Sequence, residues 1–201
     1  MARAKGKGPF TIECPYFILC EGLDDFKFLV SYLNSDALMY DSRFSNDIQV
    51  EKYDGVDNLA SFLDNLIKMD NFEKINRILI IRDAETEASS APAKIQSALF
   101  NNNLPVPSSC NKWADSDGIL KTAFTLFPSC NEVPVNGALE DLCWEILARE
   151  DSEIFKNDVQ SFVGNMKDKY DSIRSHEHKS RLHTYFSVND EYISMKIPLT
   201  G

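Results

Sequence analysis

The stretch PYFILCEGLDD, residues 15–25, decides the fold. Its first six residues, Pro15 to Cys20, form a short apolar run that ends abruptly at polar Glu21-Gly22, the pattern of a buried strand. Phe26, Leu29, Val30 and Leu33 then recur at helical spacing, and Asp24 stands where an acidic side chain caps a first turn. The stretch reads as strand, tight turn, helix.

Working outward, the same order returns. Ile48 to Tyr53 reads as a strand, Asp54-Gly55 as a turn, and Leu59, Phe62, Leu63, Leu66 and Ile67 as the apolar side of a second helix. Ile78 to Ile81 is a continuous apolar and mostly β-branched run that stops at Arg82-Asp83, the strongest strand signal in the chain. A third helix is expected from about Ala93 to Phe100 after a Ser-Ala-Pro turn, followed by a polar loop, Asn101 to Gly118, and a fourth strand from Leu120 to Phe127. Strands alternating with helices imply an α/β fold, a mostly parallel four-stranded sheet with helices on both faces.

The last third of the chain reads as extra C-terminal helices. Leu139, Leu142, Cys143 and Ile146 mark one apolar stripe, Phe155, Val159, Phe162, Val163 and Met166 a second, and Leu182, Tyr185 and Phe186 part of a third. No repeat or low-complexity linker divides the 201 residues, so a single domain is expected, with a core over about 14–148 and a helical addition over about 150–190.

Composition narrows the function classes. A 43% hydrophobic content supports one sizeable core. No apolar run approaches the roughly 20 residues of a membrane crossing, and the polar start Met1 to Gly8 does not resemble a secretory signal, so a soluble, cytoplasmic protein without membrane contact is expected. The five cysteines, Cys14, Cys20, Cys110, Cys130 and Cys143, lack the spacing of a zinc knuckle or redox pair and read as reduced, small buried hydrophobes. A net charge of −10 argues against a tight, passive nucleic-acid binder, whose surface is ordinarily basic. It leaves an enzyme open, because a metal site concentrates carboxylates while the cations gather elsewhere. Here they gather at Arg3, Lys5 and Lys7 and at Lys167, Lys169, Arg174, Lys179 and Arg181. His176, His178 and His183 fall in the second group, without the cysteine or acid pair that a closed zinc site needs.

In open parallel sheets, ligands sit beyond the carboxyl ends of the strands. Glu21 follows the first strand and Asp83 the third, which puts both on that rim. Asp25 lies one helical turn after Glu21, and Glu85 two residues after Asp83, so both can turn toward the same point. Four carboxylates converging there would repel one another unless a hard cation such as Mg²⁺ joined them through oxygen. Gly22 would let backbone and ligand approach closely. Acids after strands also cap helices, and spacing alone fits that role as well.

The two acidic motifs resemble those of the Toprim domain, shared by type IA topoisomerases, bacterial primases, small RNA-maturation nucleases and the nuclease half of overcoming-lysogenization-defect proteins. The first is an apolar strand ending in Glu-Gly with an acid three residues after the glycine, here Phe17 to Asp25; the second is an apolar strand ending in Asp-x-Asp, here Ile78 to Glu85, with glutamate as a departure in the last place. Pro128, Gly137-Ala-Leu-Glu140-Asp141-Leu142 and His178-Lys179 are similar to later features of a stand-alone Toprim-like group. The resemblance covers nearly the whole chain. It ends at Lys196 to Gly201, where that group usually continues, so a truncation is one reading of the end.

The resemblance implies a Toprim/Rossmann-like fold and metal-dependent phosphodiester cleavage of nucleic acid, DNA or RNA, with Mg²⁺ or Mn²⁺ as cofactor. Glu21 would act as acid/base or metal ligand, with Asp25 beside it, and Asp83 and Glu85 would hold the main ion. Glu140 and Asp141 would bind a second metal or cap their helix, and Gly22 and Gly137 would shape turns. Lys179, on or beside the apolar stripe of its helix, either reaches outward or stabilises charge in the site. A topoisomerase or primase would need further domains. The alternative is a catalytically silent Toprim-like module that binds a protein partner or a second copy of itself, in a defence or toxin–antitoxin setting.

Overall fold

The computed structural model describes residues 10–34, 47–86, 88–115, 118–129, 135–150, 153–170 and 177–188. Arg3, Lys5, Lys7, Cys130, Arg174, His176 and the end from Lys196 lie outside them, as does the side chain of Phe155. The chain divides into two compact units, residues 1–136 and 137–201.

The first unit is an α/β sheet. Its elements are β1 (Tyr16–Cys20), α1 (Leu23–Leu33), β2 (Ile48–Lys52), α2 (Leu59–Ile67), β3 (Arg77–Asp83), α3 (Ala91–Asn101), β4 (Ala114–Asp115) and β5 (Lys121–Phe127). The strand order is β2-β1-β3-β5-β4; β1, β2, β3 and β5 are parallel, and only the two-residue edge strand β4 runs antiparallel. The apolar runs form strands because both faces are covered, which removes any need for polar residues at alternate positions. Phe17, Leu19, Ile78, Ile80, Phe124 and Leu126 pack with Leu59, Leu63 and Leu66 of α2 and with Ile95, Ala98 and Leu99 of α3. The alternate residues Ile18, Cys20, Ile48, Val50, Leu79 and Ile81 meet Phe26, Leu29, Val30 and Leu33 of α1. Each fully buried side chain of this size contributes about 1.5–3 kcal/mol.

Three boundaries differ from the sequence reading. The sheet has a fifth strand, β4, inside the stretch expected to be a loop. Helix α3 begins at Ala91, so Pro92 lies within its first turn, where a missing N–H costs nothing. Strand β3 runs on through Arg82 and Asp83, which pair with Leu126 and Phe127 of β5. A backbone ladder is indifferent to side-chain polarity, and its continuation draws Arg82 into the interior, 4% exposed.

The second unit contains α4 (Leu139–Glu150), α5 (Glu153–Lys169) and α6 (Glu177–Val188). Its core is Trp144, Leu147, Val159, Leu182 and Tyr185, with Cys143 and Phe186 at the margin. The expected stripes shift here: Ile146 and Phe162 are about half exposed, while Trp144 turns inward, edge-on to Tyr185 at 5.6 Å between ring centroids. Gly137, just ahead of α4, has φ 138°, which an L side chain cannot adopt without strain. Gly137→Ala is expected to lower stability by about 1–3 kcal/mol, seen as an earlier urea midpoint at unchanged slope.

Cys14 and Cys20 are buried and Cys143 half-buried, and none of the three is in a disulfide, as expected. Cys110 is disulfide-bonded, which corrects the expectation that all five cysteines are reduced. Among the described residues no helix is long and apolar enough to cross a membrane.

Candidate functional site at the carboxyl ends of the strands

Glu21 leaves β1 in line with Phe17 and Leu19, Arg82 stands in β3 in line with Ile78 and Ile80, and Tyr53 follows β2. Two backbone hydrogen bonds tie these ends together: Tyr53 N–H donates to the Cys20 carbonyl at 3.0 Å, and Gly55 N–H to the Glu21 carbonyl at 3.2 Å. The Arg82 Nε stands 3.8 Å from the Glu21 Oε2, with side chains 5% and 16% exposed. That is an ion pair at a length too great for a hydrogen bond. The Glu21 Oε2, the Arg82 Nε and the Tyr53 hydroxyl are all buried and have no hydrogen-bond partner among the described residues.

Electrostatics follow from this placement. Burial pushes the Glu21 carboxyl up to about 7; the Arg82 guanidinium opposes the rise, and the charges of Glu85, Asp25 and Asp57 add to it. Burial likewise pushes the Tyr53 phenol up, with Glu21 reinforcing the shift.

The other expected acids are placed differently. Asp25 is buried, and its Oδ2 accepts the Gly22 N–H at 2.9 Å, so Asp25 closes the turn and Asp24, which was expected to cap it, is exposed. Gly22 is in extended backbone, φ −129°, with room for a Cβ whose nearest neighbour is the Asp25 Oδ2 at 3.5 Å, so neither conformation nor space calls for glycine. Asp83 is half-buried at the end of β3, in line with Leu79 and Ile81 and therefore on the α1 side, opposite Arg82. Glu85 is exposed, on left-handed backbone with φ 53°. Among the described residues no three His, Cys, Asp or Glu side chains stand together in a group able to hold one ion.

In the second unit the Asp141 Oδ2 accepts the Ala138 N–H at 2.9 Å, the same cap that Asp25 makes, and the Asp141 Oδ1 accepts from Arg181 Nη2 at 2.8 Å. Lys179 Nζ is 3.5 Å from the Oε1 of buried Glu140. Asp141 thus acts as a cap, and Glu140 and Asp141 of α4 each face a cation on α6. Arg181 also lies over the Trp144 ring, 4.8 Å from its centroid. Lys179 reaches outward at 42% side-chain exposure, beside an open cleft of about 360 Å³ lined also by Phe162, Val163, Met166, Ser180, His183 and Thr184.

Arg82 and Tyr53 were not among the site residues read from the sequence. One signal pointed to Arg82: a charged residue two places after Ile80, continuing the inward alternation of the strand.

The fold and this edge define an α/β protein whose parallel sheet carries buried charge at the carboxyl ends of its central strands. The chain belongs to the family described as "Protein of unknown function (DUF3226)", whose model matches residues 15–195. No curated protein and no solved structure matches it significantly.

Proposed function

We propose that the chain is a Toprim-type, Mg²⁺- or Mn²⁺-dependent phosphodiesterase that cleaves nucleic acid. The observation that carries the reading is Glu21, a half-buried carboxylate at the carboxyl edge of a parallel sheet whose buried Oε2 has no hydrogen-bond partner among the described residues, within reach of the charges of Glu85, Asp25 and Asp57. Carboxylate oxygens are the ligands a hard divalent cation takes, and by the resemblance Asp83 and Glu85 would hold the ion. When bound, such an ion supplies charge neutralisation for a phosphodiester and an acidic water. Glu21 accepts or returns a proton at its carboxylate. Asp25 fixes the turn that presents Glu21, through the Gly22 N–H. The resemblance also assigns Lys179 to stabilising charge, and its ammonium lies close to Glu140.

Cleavage of single- and double-stranded DNA and RNA, with Mg²⁺ or Mn²⁺ and with EDTA, tests the reading. Wild type is expected to cut only with metal, and Asp83→Ala to lose about a hundredfold or more. Absent cleavage, or cleavage that EDTA leaves untouched, overturns it.

A catalytically silent binding module is the second reading. It is favoured by the capping role of Asp25 and by the lack of a three-ligand group among the described residues. Mg²⁺ affinity equal in wild type and in an Asp83→Ala/Glu85→Ala chain would decide for it.

A further inference from the structure

We infer that Tyr16, Arg77 and Trp113 form a platform for single-stranded nucleic acid at the amino ends of the strands, a second site at the other end of the sheet from Glu21. Tyr16 opens β1 and Glu21 follows it, a separation of about 16 Å at the rise of a strand. Such a platform serves a silent module as well as an enzyme.

Register brings the three residues together. Tyr16 of β1 is level with Arg77 of β3, which is level with Lys121 of β5. Ile18 and Leu79 pack toward α1, so strand alternation puts Tyr16 and Arg77, two residues before them, on the same side of the sheet. The Arg77 guanidinium carbon lies over both rings, 5.8 Å from the Tyr16 centroid and 5.7 Å from the Trp113 centroid. Arg77 is exposed, and Tyr16 and Trp113 are 38% and 50% exposed. Neither ring belongs to an apolar layer of this unit. Among the described residues the guanidinium has no ion pair or side-chain hydrogen bond, so its N–H donors remain available. Asp115 of β4, opposite Lys121, is held by that lysine at 2.9 Å, and exposed Lys112 precedes Trp113 in the chain.

This combination selects its ligand. Aromatic faces take an unstacked base, and a guanidinium takes the phosphate beside it. A duplex keeps its bases stacked on one another, and an acidic peptide answers the guanidinium but leaves the rings unmatched. With a net charge of −10 the protein repels a phosphate chain at long range, so binding is expected to be modest and to weaken with salt.

Fluorescence anisotropy of the full chain with a labelled oligothymidylate of about 12 nucleotides, in EDTA to keep metal chemistry out of the readout, tests the platform. Wild type is expected to bind with a Kd of about 1–100 µM at about 50 mM salt. Trp113→Ala should weaken binding about fivefold or more, and Trp113→Phe by less than about threefold. Arg77→Gln should reduce the slope of log affinity against log salt by about 0.7, the share of one phosphate contact to a single strand. Lys68→Gln, which removes a 65%-exposed charge just past α2, should change neither quantity. Binding should quench tryptophan emission in wild type and not in Trp113→Phe, because Trp144, the other of the two tryptophans, is buried. No saturable binding below about 1 mM, equal affinity in Trp113→Ala, or an unchanged Arg77→Gln slope overturns the inference. Duplex or inorganic polyphosphate bound as tightly as the oligothymidylate overturns it too, since neither offers free bases. If Trp113→Ala does not fold, the Arg77→Gln slope and the Trp113→Phe quench decide. None of these results bears on cleavage at the Glu21 edge.

Discussion

Arg82→Met is expected to destabilise the metal-free protein by about 3–5 kcal/mol at pH 8, the usual cost of removing one partner of a buried ion pair, and by much less at pH 5. The pH dependence comes from Glu21. Its folded-state value is raised from 4.5 to about 7, so between those values the folded chain binds more protons than the unfolded one, and stability falls as pH rises through the window. In full, a rise of that size is worth about 3 kcal/mol, and solvent screening of the partly open carboxyl brings it to about half. Below pH 5 the Glu21 carboxyl is largely neutral in the folded state, and losing the guanidinium costs mainly packing. Above pH 7 the variant must either bury an uncompensated carboxylate or hold its proton against the solvent. Urea unfolding in EDTA at pH 5 and pH 8 measures the difference. The double variant Glu21→Gln/Arg82→Met removes both charges and should recover most of the pH 8 loss and show little pH dependence. An Arg82→Met penalty that is equal at both pH values would mean that the ion pair contributes nothing beyond packing.

Much of this arrangement was legible in the chain. Strands buried on two faces become apolar runs, so β1, β2, β3 and β5 could be read to within a residue or two, helical spacing marked α1 and α2, and a Ser-Ala-Pro turn marked the approach to α3. The carboxyl-edge position of Glu21 and Asp83 followed from the same reading. What stayed hidden depended on backbone pairing or on alternatives of equal spacing. Strand β4 is two residues long and has no pattern to show. Arg82 and Asp83 looked like a stop because they are charged, yet the ladder to β5 continues through them and sends them to opposite sides. Asp25 fits a cap and a ligand equally at three residues after Gly22; the 2.9 Å bond from the Gly22 N–H settles its present role as a cap. Trp144 displaced Ile146 from the core because its ring meets both Tyr185 and Arg181, contacts with α6 that periodicity within α4 cannot register.

Phe124→Ala should be as damaging as the loss of Arg82, for a different reason and with no pH dependence. Phe124 is 0% exposed in β5, level with Ile80 of β3, in the layer that α2 and α3 cover. Truncation removes apolar contact and leaves a cavity that surrounding strands, held by their ladders, cannot close, at a cost of about 3–5 kcal/mol. Against a typical total of about 5–15 kcal/mol, that is enough to bring the first unit near its unfolding threshold. Phe100, in α3 of the same unit and 72% exposed, supplies the control: Phe100→Ala should stay within about 0.5 kcal/mol of wild type. Comparing the pair at pH 5 and pH 8 by urea unfolding separates packing from charge. The Phe124→Ala loss should be equal at the two values, since no titrating group changes burial, whereas Arg82→Met should not be. A Phe124→Ala penalty close to that of Phe100→Ala would mean that the α2/α3 layer is not the core that supports the Glu21 edge.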